Sequence, residues 1–209
     1  MVSIISADEI KKTLPGYRPE AAEQFHAVSA KQADRLYAEA VKSRTEPRVI
    51  LMSGGAASGK TEYVSAYLKN EAAIVFDGTL PTLHGAAIKI RRAYHAKKAV
   101  EIHAVLPESL RVAFDAFLHR DRKFSSEHFY RTHSSSRRTL VEIARTMPDI
   151  TLKIIQSTVV FAGTAARITF RVLTFTNHRD LIEFLGRSQY TQDEIKRMTL
   201  QSCPRLSYR

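Results

Sequence analysis

The chain holds a single cysteine, Cys203, so no internal disulfide can form and no pair of thiolates can grip a metal. Nothing in that usage points to an oxidising compartment, and the expected location is the cytoplasm. Also missing is any stretch approaching the roughly 18 uninterrupted apolar residues of a membrane span. The first residues are mixed and carry Asp8 and Glu9, unlike a basic stretch leading into an apolar run, so neither an export signal nor a membrane anchor is expected. There is no internal repeat and no low-complexity tract. The eight histidines show no zinc spacing, and they read as structural or exposed. His128, in Ser125-Ser126-Glu127-His128, is kept apart because a basic, polar segment precedes it.

What is present fits an ordinary globular chain: 209 residues, 44% apolar and 25% charged. One domain is expected, with an N-terminal helical segment over 1–47, a core over 48–156 and a C-terminal extension over 157–209. The net charge is +11, and it is unevenly spread. Between Lys89 and Arg145 stand 13 Lys or Arg against 6 Asp or Glu. Such a concentration suits an anionic partner, whether nucleic acid, nucleotide or nucleotide-sugar, and equally a basic solvated face.

Along the chain, Pro19 at a helix start and the apolar spacing through Val41 predict an amphipathic helix over 19–43. Glu46-Pro47 breaks it, and Arg48 to Met52 reads as a buried parallel strand. A helix follows over 60–69, then a second buried strand from Ala72 to Phe76 ending at Asp77. A helix over 83–97, a strand over 100–106 and a helix opening at Pro107-Glu108 continue the alternation. A helix runs to Met147. Strands over 151–156 and 168–175 and short helices over 181–185 and 192–198 complete an α/β pattern of mostly parallel sheet flanked by helices.

The strongest signal is Gly54-Gly55-Ala56-Ala57-Ser58-Gly59-Lys60-Thr61, which satisfies G-x-x-x-x-G-K-[ST] between a strand and a helix. In that setting small residues let the backbone wrap a phosphate with its N–H groups inward, and the helix start adds partial positive charge. Lys60 would neutralise the β and γ phosphates and the Thr61 hydroxyl would ligate Mg²⁺, which points to ATP. Asp77 would stand at the carboxyl end of the next strand, beside the phosphates. It could hold a metal-bound water or accept a proton from a substrate hydroxyl, and an ordinary Asp77-Gly78 turn is the alternative.

Phosphoryl transfer also calls for cations on the transferring group. Arg111, Arg120 and Arg122 are the candidates, because they stand where a helix runs into a polar segment over 119–128 that resembles a lid. Arg111 with Asp115, and Arg122 with Asp121, could instead be surface ion pairs.

From about Leu14 to Ile155 the chain resembles the zeta toxin family of P-loop kinases. The likeness is carried by Leu14-Pro15-Gly16-Tyr17, by Val49-Ile50-Leu51-Met52-Ser53-Gly54-Gly55 entering Ser58-Gly59-Lys60-Thr61, by Asp77-Gly78-Thr79, and by Ala104-Val105-Leu106-Pro107. The resemblance implies a P-loop NTPase fold and an ATP-dependent kinase that phosphorylates UDP-N-acetylglucosamine or another small metabolite. It also implies Arg111 and Arg122 as the phosphate-binding arginines, and an antitoxin protein as a partner.

One departure stands out. The family places a strand with the catalytic aspartate between the P-loop helix and the acid-Gly-Thr element, whereas only 15 residues, Glu62 to Phe76, separate Thr61 from Asp77 here. Either Asp77 serves as both metal-side acid and base, or another segment supplies the base, or the chain binds nucleotide without the reaction. Two other readings therefore stand beside the kinase: a nucleic-acid end kinase or RNA-linked NTPase, suggested by the basic middle and by Arg205 and Arg209, and a non-catalytic nucleotide-binding protein.

Overall fold

The computed structural model describes residues 3–162 and 165–200, which leaves Cys203, Arg205 and Arg209 outside the described residues. Its centre is a six-stranded sheet of mostly parallel strands flanked by helices. The strands are β1 (Ser3–Ser6), β2 (Arg48–Ser53), β3 (Ala73–Asp77), β4 (Ala99–Pro107), β5 (Thr151–Ala162) and β6 (Ala165–Leu173), in the spatial order β1-β3-β2-β4-β5-β6. All neighbours are parallel except β5 and β6, which form an antiparallel hairpin.

The helices are α1 (Ala7–Lys12), α2 (His26–Ser43), α3 (Lys60–Tyr63), α4 (Leu83–His95), α5 (Leu110–Leu118), α6 (Ser126–Thr146), α7 (His178–Arg187) and α8 (Gln192–Leu200). Serine, threonine or asparagine stands at the start of most of them. The side chains of Thr82, Ser109 and Asn177 accept from the backbone N–H of Gly85, Val112 and Asp180, and each meets a donor that the helix itself cannot satisfy. Among the described residues, no helix is long and apolar enough to cross a membrane.

The central strands are buried on both faces, which is why they read as unbroken apolar runs. Alternation within them still sorts the two cores. Val49, Leu51, Ile74, Phe76, Ile102 and Ala104 face the layer of α2, α4, α6 and α7. Ile50, Met52, Val75 and Val105 face Tyr63, Val64 and Leu68 on the opposite side. Each fully buried aliphatic side chain contributes about 1.5–3 kcal/mol relative to exposure. A third cluster joins α5, α6 and α8 through Phe114, Phe117, Phe129 and Ile195, and it ends against Ala56 of the loop after β2.

Several expected elements change in extent. The helix expected over 19–43 begins only at His26, after a single 3₁₀ turn at Pro19–Ala21. The helix expected over 60–69 is α-helical to Tyr63 and then widens into a π turn over Val64–Leu68. The helix expected at Pro107-Glu108 opens at Leu110, because Pro107 ends β4 in register with Ser157 and Glu108 N–H donates to Ser157 O. Strand β5 runs past Gln156 to Ala162, where pairing with β6 extends it, and β6 itself begins at Ala165 and ends at Leu173. The sheet therefore continues beyond residue 156. The N-terminal segment over 1–47 was expected to be helical, yet Ser3–Ser6 forms strand β1 paired with β3, with Ser6 opposite Asp77.

Candidate functional site

The carboxyl ends of parallel strands β1, β2 and β3 open into a cavity of about 310 Å³. Ligands collect at such an edge because strand ends and helix starts leave backbone groups and side chains free to converge there. Ala56 to Gly59 form one wall, and Lys60, Thr61, Asp77 and Asp8 line the cavity with them. Arg120 and His128 line it as well, and Phe76, Leu80 and Phe117 supply apolar surface.

Glycine at the loop entrance is demanded by space. Gly54 has φ +135°, and a Cβ there would collide with the Val105 carbonyl. A Cβ on Gly55 would strike the ring of His133. Further along, Ala57 and Gly59 take positive φ of +58° and +89° as the chain curls into α3. Three side chains from other elements hold the curl. Thr132 Oγ1 accepts from Ala56 N at 3.1 Å, Ser157 Oγ donates to Ser58 O at 2.8 Å, and His133 Nε2 bonds Ala56 O at 2.8 Å. A carbonyl only accepts, so His133 carries its proton on Nε2. Complete burial and the nearby Arg137 guanidinium hold His133 neutral, well below the usual histidine range.

Lys60 turns back over the loop. Its Nζ donates to Gly54 O at 2.9 Å, Gly55 O at 2.7 Å and Ser58 Oγ at 3.3 Å. Among the described residues no carboxylate forms an ion pair with it. Burial pushes its pKa down to about 8 against the opposing pull of Asp77. A cation so desolvated gains strongly from an arriving anion.

Thr61 Oγ1 donates to Asp77 Oδ2 at 3.4 Å, a long contact that joins the helix start to the end of β3. Burial raises the Asp77 pKa, and the repulsion of Asp8 adds to it, while Lys60 and the Thr61 hydroxyl pull it back. Asp8 has the opposite balance. Burial pushes it up, but Arg122 and Lys11 outweigh that and hold its carboxyl below the usual range. Its oxygens meet Arg122 Nη1 at 2.5 Å and Lys11 Nζ at 3.1 Å.

The arginines separate. Arg120 lines the cavity, and burial, reinforced by Arg122, lowers its pKa. Arg122 is held by Asp8. Arg111 is not brought to this site: it lines a second cavity of about 400 Å³ with Glu108, Arg137 and Tyr190, at the other end of α5. Also in the lining, His128 packs on Phe124 at 4.4 Å and edge-on to His26 at 5.2 Å. Burial, with His26 and Arg131 adding repulsion, pushes the His128 pKa down to about 4.

Sequence reasoning thus named the loop, Asp77, Arg120 and His128, and missed Asp8, Thr132 and His133. The signal for Asp8 was faint but present, since Ile4-Ile5-Ser6-Ala7-Asp8 is an apolar pair followed shortly by an acid, as in Ile74-Val75-Phe76-Asp77. For His133 no local signal exists, because its role is created by contact with Gly55 across 78 positions of chain. No protein-family model matches this chain, and a search of curated proteins returns no match.

Proposed function

We propose that the chain has the P-loop NTPase fold and is an Mg²⁺- and ATP-dependent kinase of the zeta toxin type, acting in the cytoplasm on a nucleotide-sugar such as UDP-N-acetylglucosamine or on another small metabolite. The observation that carries this reading is Lys60, a desolvated ammonium resting on carbonyls of its own loop, with Thr61 and Asp77 beside it at the carboxyl ends of parallel strands. That arrangement suits a phosphate chain and a hard cation.

The residues present fit both groups. The Lys60 ammonium has neutral partners that an anion would replace to advantage. Among the described residues there is no group of three or more His, Cys, Asp or Glu that could hold a metal. Thr61 and Asp77 offer hard oxygens side by side, which matches Mg²⁺, an ion that takes one or two protein ligands and completes its shell with phosphate oxygens and water. Bound there, the ion would neutralise charge on the phosphates.

The chain's own residues supply the rest. Amides of the loop and Lys60 hold and orient the β and γ phosphates. Arg120, facing the same space, places a planar cation on the transferring group, where charge develops. The apolar wall of Phe76, Leu80 and Phe117 excludes water and gives an acceptor a surface to rest on.

The test is phosphoryl transfer from ATP labelled in its γ-phosphate, with Mg²⁺, offered to UDP-N-acetylglucosamine and to a panel of nucleotides, sugars and short RNA. Label on a small acceptor, absent with Lys60→Ala, is expected. Label confined to RNA, or to no acceptor while ATP still binds, contradicts the reading.

A further inference from the structure

The cavity holds two carboxylates at the ends of two adjacent strands, and their surroundings divide them. β1 lies parallel to β3 with Ser6 opposite Asp77, and Asp8 follows two residues later in the first turn of α1. Short as it is, β1 carries this acid from the chain's beginning to the ligand-binding edge. It occupies the sheet position beside β3 for which the 15 residues between Thr61 and Asp77 leave no second strand. Asp77 is turned to the Thr61 hydroxyl. Asp8 is held instead by Lys11 and Arg122, with its side chain 41% exposed and lining the cavity.

We propose that Asp8 is the catalytic base, accepting the proton of the acceptor hydroxyl, while Asp77 stays on the metal side with Thr61. The inference rests on the kinase reading above. As the acceptor oxygen forms its bond to the γ-phosphorus, the bond from that phosphorus to the β,γ-bridging oxygen breaks and its electron pair leaves with ADP. The hydroxyl proton passes to an Asp8 oxygen and from there to solvent. Each Asp8 oxygen bonds one cation and keeps lone-pair capacity for one more donor.

The other acids of the cavity suit the task less. Asp34 is paired with Lys89 at 2.7 Å, and Glu62 is exposed on α3. Lys11 is fully buried with its Nζ 4.6 Å from the centre of the Phe124 ring, so it fixes the Asp8 carboxylate from a buried position while Asp8 itself lines the cavity.

The experiment compares the wild-type chain with Asp8→Asn, Asp8→Glu and Lys11→Met, measuring label transfer to UDP-N-acetylglucosamine and the acceptor panel alongside the Kd for Mg²⁺-ATP. With Asp8→Asn, kcat is expected to fall by about 100-fold or more. Its Kd for ATP should stay within about threefold, roughly 0.65 kcal/mol. Asp8→Glu keeps the charge and the fold but moves the carboxylate by one methylene, so kcat should fall by at least about tenfold. Lys11→Met, which weakens the ion cluster without removing the base, should lose far less. Wild-type kcat in Asp8→Asn or Asp8→Glu overturns the proposal, as does an equal loss in Lys11→Met, which would make the cluster a structural tie. Absence of transfer in the wild-type chain overturns the kinase reading itself, and it is seen in a separate arm.

Discussion

The imidazole of His133 fills the space in which a side chain on Gly55 would have to stand, while its Nε2–H holds Ala56 O at 2.8 Å. A residue in the middle of α6 thereby fixes both the composition and the curvature of the loop from Gly54 to Gly59. Gly55→Ala should consequently force ring and loop apart and cost about 1–3 kcal/mol, the usual range for overpacking. Thermal melting would detect the loss, and ATP affinity should fall with it. A variant of wild-type stability and affinity would mean that the loop has room the structure denies it.

Thr132 makes the complementary contact by accepting from Ala56 N. Thr132→Val keeps the shape and removes the acceptor, leaving a buried amide unsatisfied. The expected cost is about 1–3 kcal/mol in denaturant unfolding. Binding should weaken as well, because the loop loses its tie to α6.

Arg120 lines the cavity and, among the described residues, forms no ion pair with a carboxylate, so its removal should spare the fold. Arg120→Met is expected to lower kcat for phosphoryl transfer by about 100-fold or more. Steady-state kinetics beside a melting curve would separate the two effects. Unchanged kcat would remove Arg120 from the transferring group.

Acid should destabilise the protein through its buried imidazoles. His128 has a folded pKa of about 4 against 6.5 when unperturbed. Between those values the unfolded chain binds the proton and the folded chain does not, so stability falls as pH drops from about 6.5 toward 4. His133, lowered further still, acts in the same direction. Urea midpoints across that interval should decline with acidification, and His128→Gln should flatten the decline. A midpoint independent of pH would contradict the burial of these rings.

The legible parts of this chain were those whose signals are local. The glycine spacing of Gly54 to Thr61 and the apolar runs of β2, β3 and β4 depend on short-range sterics and two-sided burial, and they lie where the pattern put them. β1 was invisible because four residues with only Ile4 and Ile5 apolar carry no periodicity, and its pairing is decided by the open edge of β3. Arg111 and Arg120 look alike in sequence. Nine positions apart, they stand near opposite ends of α5, and only the packing of that helix on α6 and α8 sends them to different cavities. The widening of the helix after Tyr63 into a π turn likewise had no composition signal.

The central claim is that the Gly54 to Thr61 loop binds a nucleoside triphosphate through Lys60. Titration calorimetry of Mg²⁺-ATP into the wild-type chain and into Lys60→Ala tests it most directly. The account predicts one site per chain, with affinity at least about tenfold weaker in Lys60→Ala, as expected for losing a charge-assisted contact. No binding by the wild-type chain, or equal binding by both proteins, would contradict it.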